Sequence, residues 1–162
     1  WGRFLNEDGS LRWASLAVAG QSQGGGHAAL IGIKHEVARV LCFGAPKDYN
    51  IKLGVPAAWY ELPSATPKDR FFAFNHHQDP MGCTPEQQRL NLKTLGLDAF
   101  GPPAEVDSEP FPYRHARILY TGFPEVVVTG VRSQGARAAH GSAIAARHAE
   151  RWNEVWRYML TE

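Results

Sequence analysis

A serine set between glycines is the first feature of this sequence that carries chemistry: Gly20-Gln21-Ser22-Gln23-Gly24 reads G-x-S-x-G. With 16 Gly in the chain the pattern arises by chance about 0.07 times, so its surroundings must carry the argument. The motif follows the short apolar run Leu16-Ala17-Val18-Ala19 and leads into Gly24 to Lys34, which is small and apolar nearly all round. That is the pattern of a buried strand turning sharply into a buried helix. Glycines on both sides of the serine leave room where side chains would collide. The turn lifts the serine hydroxyl above the sheet and aims the positive end of the helix at the reacting centre. The plain alternative is a glycine-rich turn with an incidental serine.

A nucleophilic serine needs a base, and the base needs an orienting carboxylate. Of the seven histidines, His35 and His115 precede expected strands and fall at the wrong end of a sheet. His148 falls inside an expected last helix, and His27 sits about one turn into the elbow helix, where it is expected to point into packing. His76 and His77 follow a strand on the correct side and compete with His140, which lies in the glycine-rich stretch Gly135 to Gly141 and is expected on a loop. For the acid, Asp79 in Asn75-His76-His77-Gln78-Asp79-Pro80 and Asp48 in Gly44-Ala45-Pro46-Lys47-Asp48 both follow strands. Either is also a natural turn former. His76-His77-Gln78-Asp79 has some look of a metal site, but no third strong ligand recurs at a recognised spacing. Walker A fails because no Lys follows the glycines. Gly24-Gly25-Gly26-His27-Ala28-Ala29 fits G-x-G-x-x-A, with Asp48 placed as a ribose-binding acid would be, yet Ser22 occupies the second-glycine position of a fingerprint begun at Gly20.

The elements that must position these groups are legible as runs. Strands are expected at Leu16–Ala19, Val37–Phe43, Phe71–Asn75 and Ala116–Thr121, with Glu125–Thr129 open between strand and loop. Helices are expected from Gly24 to Lys34, from Pro85 to Leu95 with Thr84 as N-cap, and from about Ala143 to Leu160. In the last, Trp152, Val155, Trp156, Met159 and Leu160 share one face. Strands alternating with helices or long crossovers give the α/β class, a mostly parallel sheet with flanking helices. Ligands then bind at the carboxyl ends of the strands. Residues 1–162 suit a single domain, with 44–70 as a small cap or loop region rich in proline and aromatics. Trp59, Tyr60 and Phe111 either line an apolar acyl pocket or simply hold loops down. A net charge of +1 argues against a nucleic-acid partner. No apolar run approaches the roughly 18 residues of a membrane span. Two cysteines make neither a disulfide framework nor a four-cysteine zinc site, and do not fix a compartment.

Over essentially its whole length the chain resembles the α/β-hydrolase superfamily of serine esterases and lipases. More narrowly, it resembles a little-characterised bacterial branch whose elbow reads G-H-S-Q-G-G-G-H-A-A. Here the stretch is Gly20-Gln21-Ser22-Gln23-Gly24-Gly25-Gly26-His27-Ala28-Ala29, in which Gln21 replaces the usual His. Pro56-Ala57-Ala58-Trp59, Ala65-Thr66-Pro67-Lys68-Asp69-Arg70 and His140-Gly141-Ser142 match as well. The resemblance implies a serine hydrolase that cleaves a carboxylic ester or related small-molecule acyl compound through an acyl-enzyme on Ser22, with no cofactor. Its Ser…Asp…His order favours Asp79 over Asp48 as the partner of His140, and gives the Gln23 amide as one oxyanion donor.

The resemblance also implies that only the C-terminal portion of the family fold is present, which agrees with an opening Trp1-Gly2-Arg3-Phe4-Leu5 that reads like the middle of an element. The second oxyanion donor would then lie outside the chain. The elbow strand would be a bare edge, and the chain alone would be poorly stable and impaired in activity. Two other functions stay open at this level: a non-catalytic α/β binding or scaffold protein, and a nucleotide-binding fold using Asp48.

Overall fold

Side chains alternate across each strand, and the alternation here sorts the apolar residues into two cores. The structure, a computed structural model, describes residues 2–124 and 132–162, and the side chains of all of these except 132–136. In chain order the elements are β1 (Ala17–Gln21), α1 (Gln23–Lys34), β2 (Arg39–Phe43), β3 (Tyr49–Asn50), β4 (Val55–Pro56), β5 (Phe71–His76), α2 (Pro85–Thr94), β6 (Ala104–Glu105), β7 (Ile118–Thr121), α3 (Arg132–Gly141) and α4 (Ala149–Thr161), with short 3-10 turns between. The main sheet has the order β1-β2-β5-β7-β6 and every pairing in it is parallel. The chain is therefore of the α/β class, with helices on both faces.

Val40, Cys42, Phe71, Ala73, Ile118 and Tyr120 point to one face, where Ala28, Ala29 and Ile33 of α1 and Leu92 of α2 cover them. Leu41, Phe43, Phe72, Phe74 and Leu119 point to the other, against Trp152, Val155, Tyr158 and Met159 of α4. Burying side chains of this size is worth about 1.5–3 kcal/mol each, so the strands at the centre hold the register. Phe43 lies opposite both Gln21 and Phe74, which brings the carboxyl ends of β1, β2 and β5 to one level.

Helix α2 begins as its sequence indicates. Thr84 Oγ1 accepts from Gln87 N at 3.2 Å while Thr84 N donates to Gln87 Oε1 at 2.9 Å, with Pro85 in the first position. That reciprocal pair satisfies donors the helix itself leaves open.

Several expectations need correction. The last helix starts at Ala149 rather than about Ala143, because Trp152 Nε1 and Trp156 Nε1 take the carbonyls of Ser142 (2.9 Å) and Ala143 (2.8 Å) as acceptors. Its buried face includes Tyr158, whose hydroxyl donates to Ala116 O at 2.7 Å, whereas Leu160 is exposed. The stretch Gly135 to Gly141 lies in helix α3, not on a loop; Ala136, Ala138 and Ala139 favour helix enough to outweigh its glycines. Residues 44–70 include the antiparallel pair β3-β4. The two-residue strand β6 carries no sequence signal of its own, and Glu125–Thr129 falls outside the described residues.

At one margin of the sheet, β1 pairs among the described residues only with β2, and Ala17 and Ala19 are exposed. At the other, β6 pairs with β7 over two residues. Among the described residues no helix is long and apolar enough to cross a membrane.

Candidate active site

Ser22 sits between the last residue of β1 and the first of α1 with φ 57° and ψ −124°. A residue with a Cβ at positive φ costs about 1–3 kcal/mol and persists only where its surroundings impose it. The surroundings here are backbone. Ser22 N donates to Phe43 O at 2.9 Å, and Ser22 O accepts from Gly25 N at 3.0 Å and Gly26 N at 3.3 Å. A Cβ on Gly20 would lie 2.1 Å from Gly24 O, and one on Gly25 would lie 2.3 Å from the Cβ of Ala45. The two glycines the turn needs are thus Gly20 and Gly25. Gly24, the second glycine of the motif, faces open space. The first turn of α1 closes on Ser22 O, so the amides of Gln23 and Gly24 have no helical partner and stay at the positive end of a 12-residue helix.

Asp79 lies three residues beyond the end of β5, in the turn that follows it, and is fully buried there. Its Oδ1 accepts from Met81 N at 2.9 Å, its Oδ2 from His140 Nδ1 at 2.8 Å, and Lys47 Nζ stands 2.9 Å from the same Oδ2. Burial pushes the carboxyl of Asp79 up, but the hydrogen bonds from His140 and Lys47, with the Lys47 charge and the Met81 amide, together hold it below the usual carboxylate range. An ionised carboxylate accepts only, so the proton between it and His140 belongs to Nδ1 and the lone pair of neutral His140 is on Nε2. That is the tautomer a base needs.

His140 is in the last turn of α3 and its main chain is tied to the elbow, because Gln21 Nε2 donates to His140 O at 3.1 Å. Gln21 was expected only as a departure from the family's His; here it joins the residue before the serine to the histidine. Gly44, at φ 54°, leaves the space beneath: a Cβ there would lie 3.0 Å from His140 O, 3.4 Å from His140 Nδ1 and 3.5 Å from Asp79 Oδ2. Among the described residues the Ser22 hydroxyl has no hydrogen-bond partner. Contacts between nucleophile and base are often long before substrate binds.

The structure therefore joins Asp79 to His140 and leaves Asp48 out. Asp48 is exposed, and its Oδ2 accepts from Trp59 Nε1 at 3.1 Å while its amide donates to the Tyr60 hydroxyl at 3.0 Å. Trp59 and Tyr60 thus serve the loop after β2. Phe111 is elsewhere, against Tyr113 and Tyr158, and takes no part in an acyl pocket with them.

The other histidines have partners or positions of their own. His76 is buried, accepts from Gln78 N on Nδ1 at 3.0 Å and donates from Nε2 to Phe123 O at 2.9 Å. His77 bonds to Glu105 at 2.7 Å and stacks on Tyr120, lining a cleft of about 340 Å³ with Asp107 and Arg151. His27 is exposed, not packed inward, and lines a second cleft of about 440 Å³ with Leu30 and Ile31. Neither of these clefts is lined by Ser22, Asp79 or His140. His35 stacks on Trp13, His115 pairs with Glu162, and His148 packs edge-on to Phe123 at the start of α4.

A pH dependence of stability follows from Asp79. Its carboxyl titrates lower in the folded chain than in the unfolded one, so the folded state gains from its ionisation. That gain is fully present above the unfolded value of about 3.9 and is lost as pH falls through the lower folded value. The difference in denaturation midpoint between the wild-type chain and Asp79→Asn should stay constant above about pH 5 and close below about pH 4. Urea titrations across that window check it, and a gap that does not narrow as pH falls below about pH 4 would sink it.

Comparison of the chain with family models, with curated proteins and with solved structures finds no match.

Proposed function

We propose that the chain carries the catalytic part of a serine hydrolase of α/β-hydrolase type, acting on a carboxylic ester or related acyl compound. One observation supports this above the others: the buried Asp79–His140 pair lies at the same end of the sheet as the strained Ser22, and Gln21 links the two. In this reading Ser22 Oγ attacks the carbonyl carbon while His140 Nε2 takes its proton. The tetrahedral oxyanion forms against the Gln23 amide at the head of α1. It collapses with cleavage of the bond to the leaving group, which departs with the proton from His140. Water then adds to the acyl-enzyme by the same proton route and releases the acid. Asp79 keeps His140 in the Nδ1–H tautomer throughout.

The test is labelling by a fluorophosphonate probe, applied to this chain and to any longer protein containing it, with Ser22→Ala as control. Labelling abolished by Ser22→Ala is the expected result. A folded protein that does not label would mean that Ser22 is not activated, and a non-catalytic binding role would take precedence.

A further inference from the structure

Asp79 holds more positive charge than orienting an imidazole requires. One carboxylate oxygen and the Met81 amide suffice for that task, yet Lys47 Nζ lies on the same Oδ2 as His140 and also 3.4 Å from Asp79 O. The Lys47 side chain is only 8% exposed, and burying an ammonium is costly unless it is paired.

The fold fixes the loop that delivers it. Ala45 N donates to Asn75 Oδ1 at 3.0 Å, Gln88 Nε2 donates to the same oxygen at 2.7 Å, and Asn91 Nδ2 donates to Pro46 O at 3.3 Å. Asn75, Gln88 and Asn91 are fully buried. Across from them the Lys47 stem lies against the turn at Gly82, where a Cβ would come within 3.4 Å of Lys47 Cβ.

We infer that Lys47 is a positioning residue which, by sharing Asp79 Oδ2 with His140, sets the charge against which His140 takes the serine proton. The inference rests on the reading of Ser22 and His140 as nucleophile and base. Without Lys47, an imidazolium would form beside a bare carboxylate. With it, the carboxylate is already partly neutralised, so an imidazolium at His140 gains less from Asp79.

Other groups around the cluster leave Lys47 as the adjustable charge. Cys83 is buried and burial pushes its thiol up, so it stays neutral. Asp48 is exposed and held by Trp59, and Arg137, one turn before His140 on α3, is exposed. His77 is paired with Glu105, and His76 is bonded at both ring nitrogens.

The experiment measures the rate of Ser22 labelling between about pH 5 and about pH 9 for the wild-type chain, Lys47→Met and Lys47→Arg. In Lys47→Met the acid limb should move to higher pH by about one unit, and Lys47→Arg should keep the wild-type limb. A uniform loss at every pH, or an unchanged profile, would overturn the inference in favour of a purely structural ion pair. A measurement on the wild-type chain guards against a variant that fails to fold. The Lys47 ε-methylene NMR signal should move with the same midpoint as the His140 ring signal, and a static Lys47 signal overturns the assignment. This titration needs no turnover, so it still decides whether Lys47 is coupled to the charge on His140 if no labelling occurs and the hydrolase reading itself fails.

Discussion

Asp79→Asn should slow Ser22 labelling by about 10³–10⁴, while Asp48→Asn should leave the rate within about twofold. The buried surroundings of Asp79 explain the size of the first effect. Lys47 and His140 both donate to Oδ2, and Met81 N donates to Oδ1, so acceptors are needed on both sides. An amide offers one oxygen and one NH₂. With its oxygen toward His140, the NH₂ opposes the Met81 N–H. Turned the other way, it opposes the Lys47 ammonium and pushes the His140 proton to Nε2, which removes the base. Asp48 faces no such demand: it is exposed, and the oxygen of an amide in its place still accepts from Trp59 Nε1. Labelling kinetics on both variants, with circular dichroism to confirm folding, separate the two acids. Equal rates for Asp79→Asn and wild type would remove Asp79 from the site.

The second large effect concerns the elbow itself. Gly20→Ala should destabilise the chain by at least about 3 kcal/mol, because the added carbon would meet Gly24 O at 2.1 Å and Gly24 C at 2.2 Å. Those are backbone atoms and have no rotamer with which to retreat. Gly24→Ala should do the opposite and stabilise by about 0.5–1 kcal/mol, since the site is open and helical and glycine is the poorer helix former. Thermal unfolding of the two variants beside wild type is decisive. If Gly20→Ala melts with the wild type, the turn is not the close-packed one described. The comparison is sharp because both glycines belong to the same five-residue motif, in which the letters alone make them equivalent.

Much of the fold was readable because its strands are continuous apolar runs ended by glycine and proline, and because Thr84-Pro85 marks a helix start by its own chemistry. The elbow was readable for the same reason, as a run, a stop and a small-residue helix in sequence. What escaped depended on distance along the chain. β6 is two residues long and exists only because Val106 N and its neighbours reach β7. The late start of α4 is decided by indole bonds from Trp152 and Trp156 to carbonyls that nothing local disfavours. His27 reads as an inward residue from a helix that looks apolar all round, but the flank of α1 that carries it is uncovered. Lys47 was within reach of sequence reasoning. The rule that functional groups sit at strand carboxyl ends admits Asp48 in Gly44-Ala45-Pro46-Lys47-Asp48 as well as Asp79, and it applies equally to the lysine beside Asp48. Gln21 carried a signal as well, since it stood where a different polar residue was expected.

The contacts at Asp79 link parts of the chain far apart in sequence. Its bond to Lys47 spans 32 residues and its bond to His140 spans 61, while the Gln21–His140 bond spans 119. Loops of that size close late, after local helices and neighbouring strands have formed, because their entropy must be overcome before the contact returns anything. The Asp79–His140 pair and its tie to Gln21 are therefore expected to form late, after the local turn at Ser22. A half-folded chain can already possess its helices and much of its aromatic core and yet lack that pair, so that under the proposed function reactivity at Ser22 would be a signature of completed topology.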